Sequence, residues 1–316
     1  MGILDQPGIA EPGGPTAPPI EELTPELARK RRGQLRIIYD RFIRNRVAVF
    51  GLFILLVVVL MAVFAPIITH KTAAFDPAND PTTNQFAPVS LAHPLGTDEL
   101  GRDVLARLLF GAQVSLLVGA TSMIVALVIG VGVGSLAGFY GGWIDNVLMR
   151  LVDSLLALPY LLLLFVLSLT FSNGSEGSVI FLIAILAWPA TARIVRGQFL
   201  ALKEREFLLA TRTLGAGDLR LIVRHILPNA AGPIIVNATI LVGANIITES
   251  IISFFGFGLN PPQSSWGTML SQSQDFFQSD PLLLYAPGLA ILITVLCFNL
   301  MGDGLRDALD PYMTER

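Results

Sequence analysis

Four polar side chains lie in or beside long apolar runs of this chain: Asp153, Glu249, Asn299 and Asp303. Polar groups at such positions face the interior of a helix bundle or a water-filled path, because lipid offers them no partner. Glu249 has two readings: it belongs to a transport pathway or gate, or it hydrogen-bonds to a neighbouring helix. Asp153 follows Arg150 by one turn, a spacing that suits an i, i+3 ion pair at the interface. Asp303 and Arg306 come near the end of the last run and suit a capping role. Other chemistries lack their parts. His70, His93 and His225 show no metal-ligand spacing, and the lone Cys297 offers neither a disulfide nor a thiolate cluster. No G-x-x-x-x-G-K-[ST] phosphate loop is present, so ATP and Mg are not expected on this chain. No Ser-His-Asp set or carboxylate pair falls on one soluble face. The expectation is therefore a protein without catalytic residues, metal or cofactor of its own, and without a nucleic-acid partner.

The elements that must position these residues are membrane helices. Of 316 residues, 53% are hydrophobic and 14% charged, with a mean hydropathy of +0.65, too apolar for an ordinary soluble domain. Six runs have about the length of roughly 20 residues that a bilayer crossing requires: Val47–Ile68, Val114–Phe139, Val147–Leu169, Ser178–Val195, Ala230–Phe257 and Leu282–Met301. Helices satisfy their own backbone groups in lipid, so the expected fold is an all-α membrane protein. Before these runs, the Pro/Gly-rich stretch "EPGGPTAPPIEELTPELARKRRG" has no apolar face, and residues 1–34 are expected to form a disordered tail. The first run is long enough to be a retained anchor rather than a signal core. Of the 21 Lys and Arg, all but Lys71, Arg102 and Arg107 fall on one side if both termini are cytoplasmic, which is the orientation basic residues favour.

Two smaller patterns concern packing. Gly130, Gly134, Gly138 and Gly142 put a small residue at every fourth position, the spacing that lets helix backbones approach. Asp98 with Arg102, and Asp103 with Arg107, are acid-before-base pairs at i, i+4. With Leu100, Val104 and Leu108 opposite, they predict a helix lying on the outer membrane surface. Trp266, in "NPPQSSWGTML", reads as an interfacial anchor.

The stretch Glu204–Asn229, "EREFLLATRTLGAGDLRLIVRHILPN", lies between two runs and on the cytoplasmic side of this topology. Phe207, Ala210, Thr211 and Leu214 recur at i, i+3, i+4, i+7 on one helical face, with Glu204 and Glu206 in the first turn and Gly215 as the C-terminal cap. Asp218 suits the cap of a second helix from Leu219, and Pro228 should end or kink that helix. The pattern predicts a short elbow with an apolar knob: a docking plug for a soluble partner, or a loop helix at the lipid surface.

This stretch resembles the cytoplasmic "EAA" loop of ABC importer permeases, whose pattern is Glu-Ala-Ala, three residues, Gly, nine residues, then Ile-x-Leu-Pro. Ala210, Gly215, Leu227 and Pro228 match, whereas Leu209, Thr211 and His225 depart from it. "HPLGTDELGRDVLARLLFGAQVSLLVG", "RLVDSLLALP", "ESIISFFGFGLNPPQSSWGTML" and "FNLMGDGLRDALDP" resemble the dipeptide/oligopeptide/nickel branch, and within it the C-type second permease subunit. Gln113 stands where that family has Arg. The resemblance covers roughly residues 35–311.

The resemblance implies a type I ABC importer permease fold in a bacterial or archaeal cytoplasmic membrane. It divides the chain into the tail 1–34, a first helix with outer loop and interfacial helix over 35–110, a five-helix core over 111–304 containing the coupling loop 204–229, and a cytoplasmic end over 305–316. It also implies partners: a homologous second permease, two cytosolic ABC ATPases that bind ATP and Mg, and an extracytoplasmic substrate-binding protein, besides membrane lipid. The outer helix and the Trp266 segment then have a second reading beside membrane contact, as surfaces for that binding protein. Glu206, Phe207, Ala210, Thr211, Leu214, Gly215 and Pro228 would form the ATPase-coupling loop. The expected cargo is a di- or oligopeptide; alternatives are nickel or another small solute in the same machine, or an ion-driven secondary transporter.

Overall fold

The computed structural model describes residues 36–69, 84–260 and 263–309, the side chain of Leu209 excepted. The expected tail over 1–34 and the last residues of the chain lie outside them. Helix α1 covers 36–44, followed by α2 (Arg46–Val63), α3 (Ala65–Ile68), α4 (Val104–Tyr140), α5 (Gly142–Ala157), α6 (Tyr160–Phe171) and α7 (Glu176–Lys203). Two short helices, α8 (Glu206–Thr213) and α9 (Asp218–Arg220), and a π-helical segment, Leu221–Ile226, lead into α10 (Leu227–Phe254). Helices α11 (Trp266–Ser273) and α12 (Leu282–Leu309) complete the described chain. Among the described residues, β pairing is confined to an isolated bridge between Thr97 and Asp103.

Side-chain caps set several helix starts. The Asn45 side chain accepts from Ala48 N (3.2 Å), Asp103 from Ala106 N (2.8 Å) and Ser175 from Ser178 N (3.3 Å), each satisfying an amide that has no partner within its helix. Gly130, Gly134 and Gly138 face α7. A Cβ on Gly130 would lie 2.7 Å from Thr191, and one on Gly134 or Gly138 would collide with the backbone of Ala192 or the side chain of Phe199. The stripe thus lets α4 and α7 pack at backbone distance. Gly142 is not part of it: its φ of +56° belongs to the turn into α5, and nothing lies near its missing Cβ.

Contacts between helix ends sort the bundle into two ends. At one, Gln113 donates to Ala62 O (2.7 Å), Asn260 N donates to Gly174 O (2.9 Å), and Trp266 Nε1 donates to Leu108 O (3.0 Å). At the other, Lys203 donates to Phe139 O (2.6 Å) and Asn45 to Asp307 (3.3 Å). Five helices, or helix runs, are each long and apolar enough to cross a membrane; α5 and α6 together make the sixth, bent by 91°. The bent pair leaves the Lys203 end and reaches the Gly174 end, so it crosses despite the bend. The expected unbroken run Val147–Leu169 is therefore corrected. Pro159 supplies no amide for the ladder, and Leu158 before it takes an extended ψ of 142°, as a residue preceding proline prefers.

The expected surface helix before the second span is also absent, since α4 begins only at Val104. Residues 96–103 instead form turns, with Gly96 and Gly101 at positive φ.

Candidate functional site

The elbow is built on a capped turn. Helix α8 ends in a Schellman motif: Gly215, at φ +83°, donates to Arg212 O (3.0 Å), and Ala216 N donates to Thr211 O (3.4 Å). Leu208 is its anchor, buried among Phe199, Leu221 and Ile226 at the foot of α7 and α10. Burying one leucine in this way is worth about 1.5–3 kcal/mol. The predicted face points the other way. Leu214 is 88% exposed, Phe207 44%, and Leu219 across the turn 75%. Ala210 and Glu206 are exposed, while Thr211 is half-buried with its hydroxyl on Phe207 O (2.7 Å). These leucines are presented by a fold fixed from beneath, which suits a partner's groove.

Asp218 and Pro228 differ from expectation. Asp218 opens α9 as its first residue, and Gly217 takes the cap position. Pro228 does not end the helix, because α9, the π segment and α10 run on as a single 37-residue span, Asp218–Phe254. The π turns account for this. Leu227 N donates back to Ile222 O, a register one residue wider than the α-helix. The Pro228 ring would otherwise clash with the carbonyl one α turn earlier.

Glu249 lies at the opposite end of that span and is fully buried. Ser115 on α4 donates to its Oε2 (3.2 Å), while Ser253 on α10 (2.8 Å) and Ser265 at the start of α11 (2.6 Å) donate to Oε1. The polarity of this ring is set by backbone amides. Trp266 N donates to Ser115 Oγ and Thr268 N to Ser265 Oγ, so both hydroxyl protons turn toward the carboxylate. Ser265 also caps α11, which places Glu249 at the positive end of that helix dipole. Three helices therefore meet on one carboxylate without a cation.

The charges predicted to decorate a surface helix form a second buried group at the same end. Asp98, 1% exposed, accepts from Arg102 Nε (2.7 Å) and from Arg107 Nη1. Arg102 also reaches Glu99 (2.7 Å), and Arg107 donates to Gln272 on α11. Asp98 and Arg102 pair as expected, but inside the protein. Asp103 and Arg107 do not pair: Asp103 caps α4 and meets His93 Nδ1 (2.8 Å). Trp266, expected at a lipid interface, is 1% exposed beneath this group.

Asp153 bonds to Arg193 on α7 (2.6 Å) rather than to Arg150, and a second α5–α7 pair joins Asp145 to Arg196. Asn299, Asp303 and Arg306 are exposed on α12. Gln113 fills a need created by proline: Pro66 has no amide for Ala62 O, one α turn earlier, and the Gln113 side chain supplies the donor. Sequence reasoning missed the Ser115–Glu249–Ser265 ring and the role of Gln272. In each, one partner is more than a hundred residues from another, and no local pattern joins them.

The chain matches two family models. Residues 130–315 match the binding-protein-dependent transport system inner membrane component, and residues 33–91 the N-terminal transmembrane domain of oligopeptide transport permease C. It is 42% identical over 271 residues to the oligopeptide transport system permease protein OppC of Bacillus subtilis, covering 86% of this chain and 87% of the relative. It is 38% identical to the dipeptide transport system permease protein DppC of Alkalihalophilus pseudofirmus, covering 95% of each. A glutathione transport system permease protein of Pectobacterium atrosepticum is 39% identical, over 87% of this chain and 90% of the relative. Among solved structures, a chain of the MetNI methionine ABC transporter superposes with a TM-score of 0.52 at 21% identity, covering 64% of this chain and 96% of that one.

Proposed function

The chain belongs to the family of binding-protein-dependent transport system inner membrane components, and on that premise we propose that it is the second permease subunit of an ATP-driven importer of di- or oligopeptides. The names of the oligopeptide and dipeptide permeases it resembles support the cargo. As a multi-pass inner-membrane protein it supplies half of a translocation path, and a homologous permease supplies the other half. Two ABC ATPases bind ATP and Mg and hydrolyse the nucleotide, so this chain is not itself an enzyme. An extracytoplasmic binding protein delivers the peptide to the α11 end.

The distribution of basic residues supports a cytosolic elbow end, together with cytosolic termini. Within the described residues, α1 to α3 make up the first membrane segment and α4 to α12 the permease core. Glu206, Phe207, Ala210, Thr211, Leu214, Gly215 and Pro228 form the coupling loop. ATP-driven closure of the ATPases draws the elbows together and opens the bundle outward. Glu249 positions α11 against α4 and α10 at the outward end, within reach of the path.

The observation that carries this reading is the exposed pair Leu214 and Leu219 on a turn fixed from beneath by Leu208. The test is Leu214→Asp, which puts a charge into the docking groove at a cost of several kcal/mol if the groove is dry. The expected variant inserts and pairs with the other permease, but loses its ATPases on purification or its substrate-stimulated hydrolysis. Full coupled transport by Leu214→Asp would leave the elbow as a loop at the lipid surface and would remove the proposal.

A further inference from the structure

Helix α1 is joined to the bundle along one side and bare along the other. Ile38, Arg41 and Phe42 are half-buried on one side of α1, and the Phe42 ring lies against Gly304 of α12. Asn45 closes α1 with a ψ of 91°, so α1 and α2 do not form one rod, and its side chain reaches Asp307. Gly304 leaves room for Ala48, since a Cβ there would collide with that residue. These contacts fix the direction of α1 at the elbow end, beside the start of the first span.

The bare side carries a regular mixture of groups. Arg36, Arg44 and, just beyond the helix, Arg46 are exposed, with Asp40 the one acidic residue among them. Ile37 (51% exposed), Tyr39 (64%) and Ile43 (48%) flank these charges. In the sequence, Arg29, Lys30, Arg31 and Arg32 come just before. Apolar side chains beside basic ones, next to a membrane span, suit the boundary between headgroups and acyl chains. Basic clusters at that depth attract anionic lipid, each side chain contributing about fivefold in local partitioning.

We propose that the bare face of α1 binds anionic phospholipid headgroups, with Arg36 and Arg44 of α1 and the adjoining Arg46 of α2 on the phosphates and Ile37, Tyr39 and Ile43 between the first acyl carbons. The site selects headgroup charge. It is independent of the cargo, and neither the transport reading nor the elbow depends on it.

A tryptophan placed at position 39 reports the lipid directly. Full-length Tyr39→Trp protein, assembled with its partner subunits, is reconstituted in phosphatidylcholine containing about 30% phosphatidylglycerol, enough to make the surface anionic. Either lipid is brominated in turn, and the quenching from Trp143, Trp188 and Trp266 is subtracted using the unsubstituted chain. The expected result is quenching by brominated phosphatidylglycerol at least about fivefold stronger, mole for mole, than by brominated phosphatidylcholine. Adding Arg36→Gln, Arg44→Gln and Arg46→Gln should bring the two to equality, whereas saturating inorganic phosphate should leave the ratio unchanged. Equal quenching in the protein that keeps its arginines overturns the proposal. So does an absence of quenching by either lipid, which would mean that a protein subunit covers this face. Loss of the preference in free phosphate would reassign the site to a soluble anion.

Discussion

At the α11 end of the bundle, groups with evident chemical potential are turned inward; at the elbow end, apolar groups are turned outward. Asp98, Arg102, Arg107 and Glu249 are all buried, each engaged by partners on other turns or helices. Leu214 and Leu219 stay largely uncovered among the described residues. Charge buried in this way must be compensated, and here the compensation is hydrogen bonds that tie α4, α10 and α11 together. An exposed leucine on a rigid turn has no such internal purpose. Between these two sites, buried charge marks where the helices are held together, and exposed leucine marks where the protein meets another molecule.

The largest effect should come from breaking the buried group. Asp98→Ala leaves two guanidinium groups without their shared carboxylate, and losing one partner of a buried pair costs about 3–5 kcal/mol. The expected outcome is a marked fall in the thermal midpoint of the detergent-purified protein and poor membrane yield. A folded, stable Asp98→Ala protein with impaired transport would break the comparison, because it would make Asp98 functional rather than structural.

Glu249→Gln should have a smaller effect at the same end. The new amide presents a donor to hydroxyls already oriented as donors, a mismatch worth about 1–3 kcal/mol. Stability measured by thermal unfolding should drop, and transport should fall in proportion to the folded complex. Normal stability with lost transport and normal basal ATPase would place Glu249 in the gate and blur the contrast between the ends.

Gly215→Val tests the elbow end and should cost least in stability. A residue with a Cβ at φ +83° pays about 1–2 kcal/mol, and the β-branch adds crowding in a local turn. Because nothing packs against Gly215, the six spans should insert normally, while coupling to hydrolysis falls as Leu214 is re-aimed. Retained coupling would mean that the direction of the knob does not matter.

Much of the fold was legible because lipid forces a repeating solution: apolar runs of sufficient length become helices, and Gly215 after a periodic face marks a helix end. The break in the third span was also within reach, since Leu158 before Pro159 disfavours helix there. The outer charges were misread for a definite reason. Acid-before-base spacing of four predicts a pair only if the backbone is helical, and Gly96 and Gly101 turn the chain before α4 starts. Those two glycines were the signal. The environment of Trp266 was not legible, because its partner, the Leu108 carbonyl, is 158 residues away and belongs to another helix. The elbow's face was legible as a pattern, but its orientation depended on Leu208, whose packing is tertiary.

The unbroken run from Asp218 to Phe254 also has a mechanical meaning. At 1.5 Å per residue, its 37 residues make a beam about 55 Å long. One end carries the short turn at Gly215, and the other holds the carboxylate of Glu249 five residues from its tip. A tilt of about ten degrees at the base would carry the tip through roughly 10 Å. Pro233 also interrupts the hydrogen-bond ladder about two turns above the π turns, so the foot of the beam, from Leu221 to Pro233, is where such a tilt would be taken up. Small displacements at the elbow end would then arrive at the α11 end enlarged, by leverage alone.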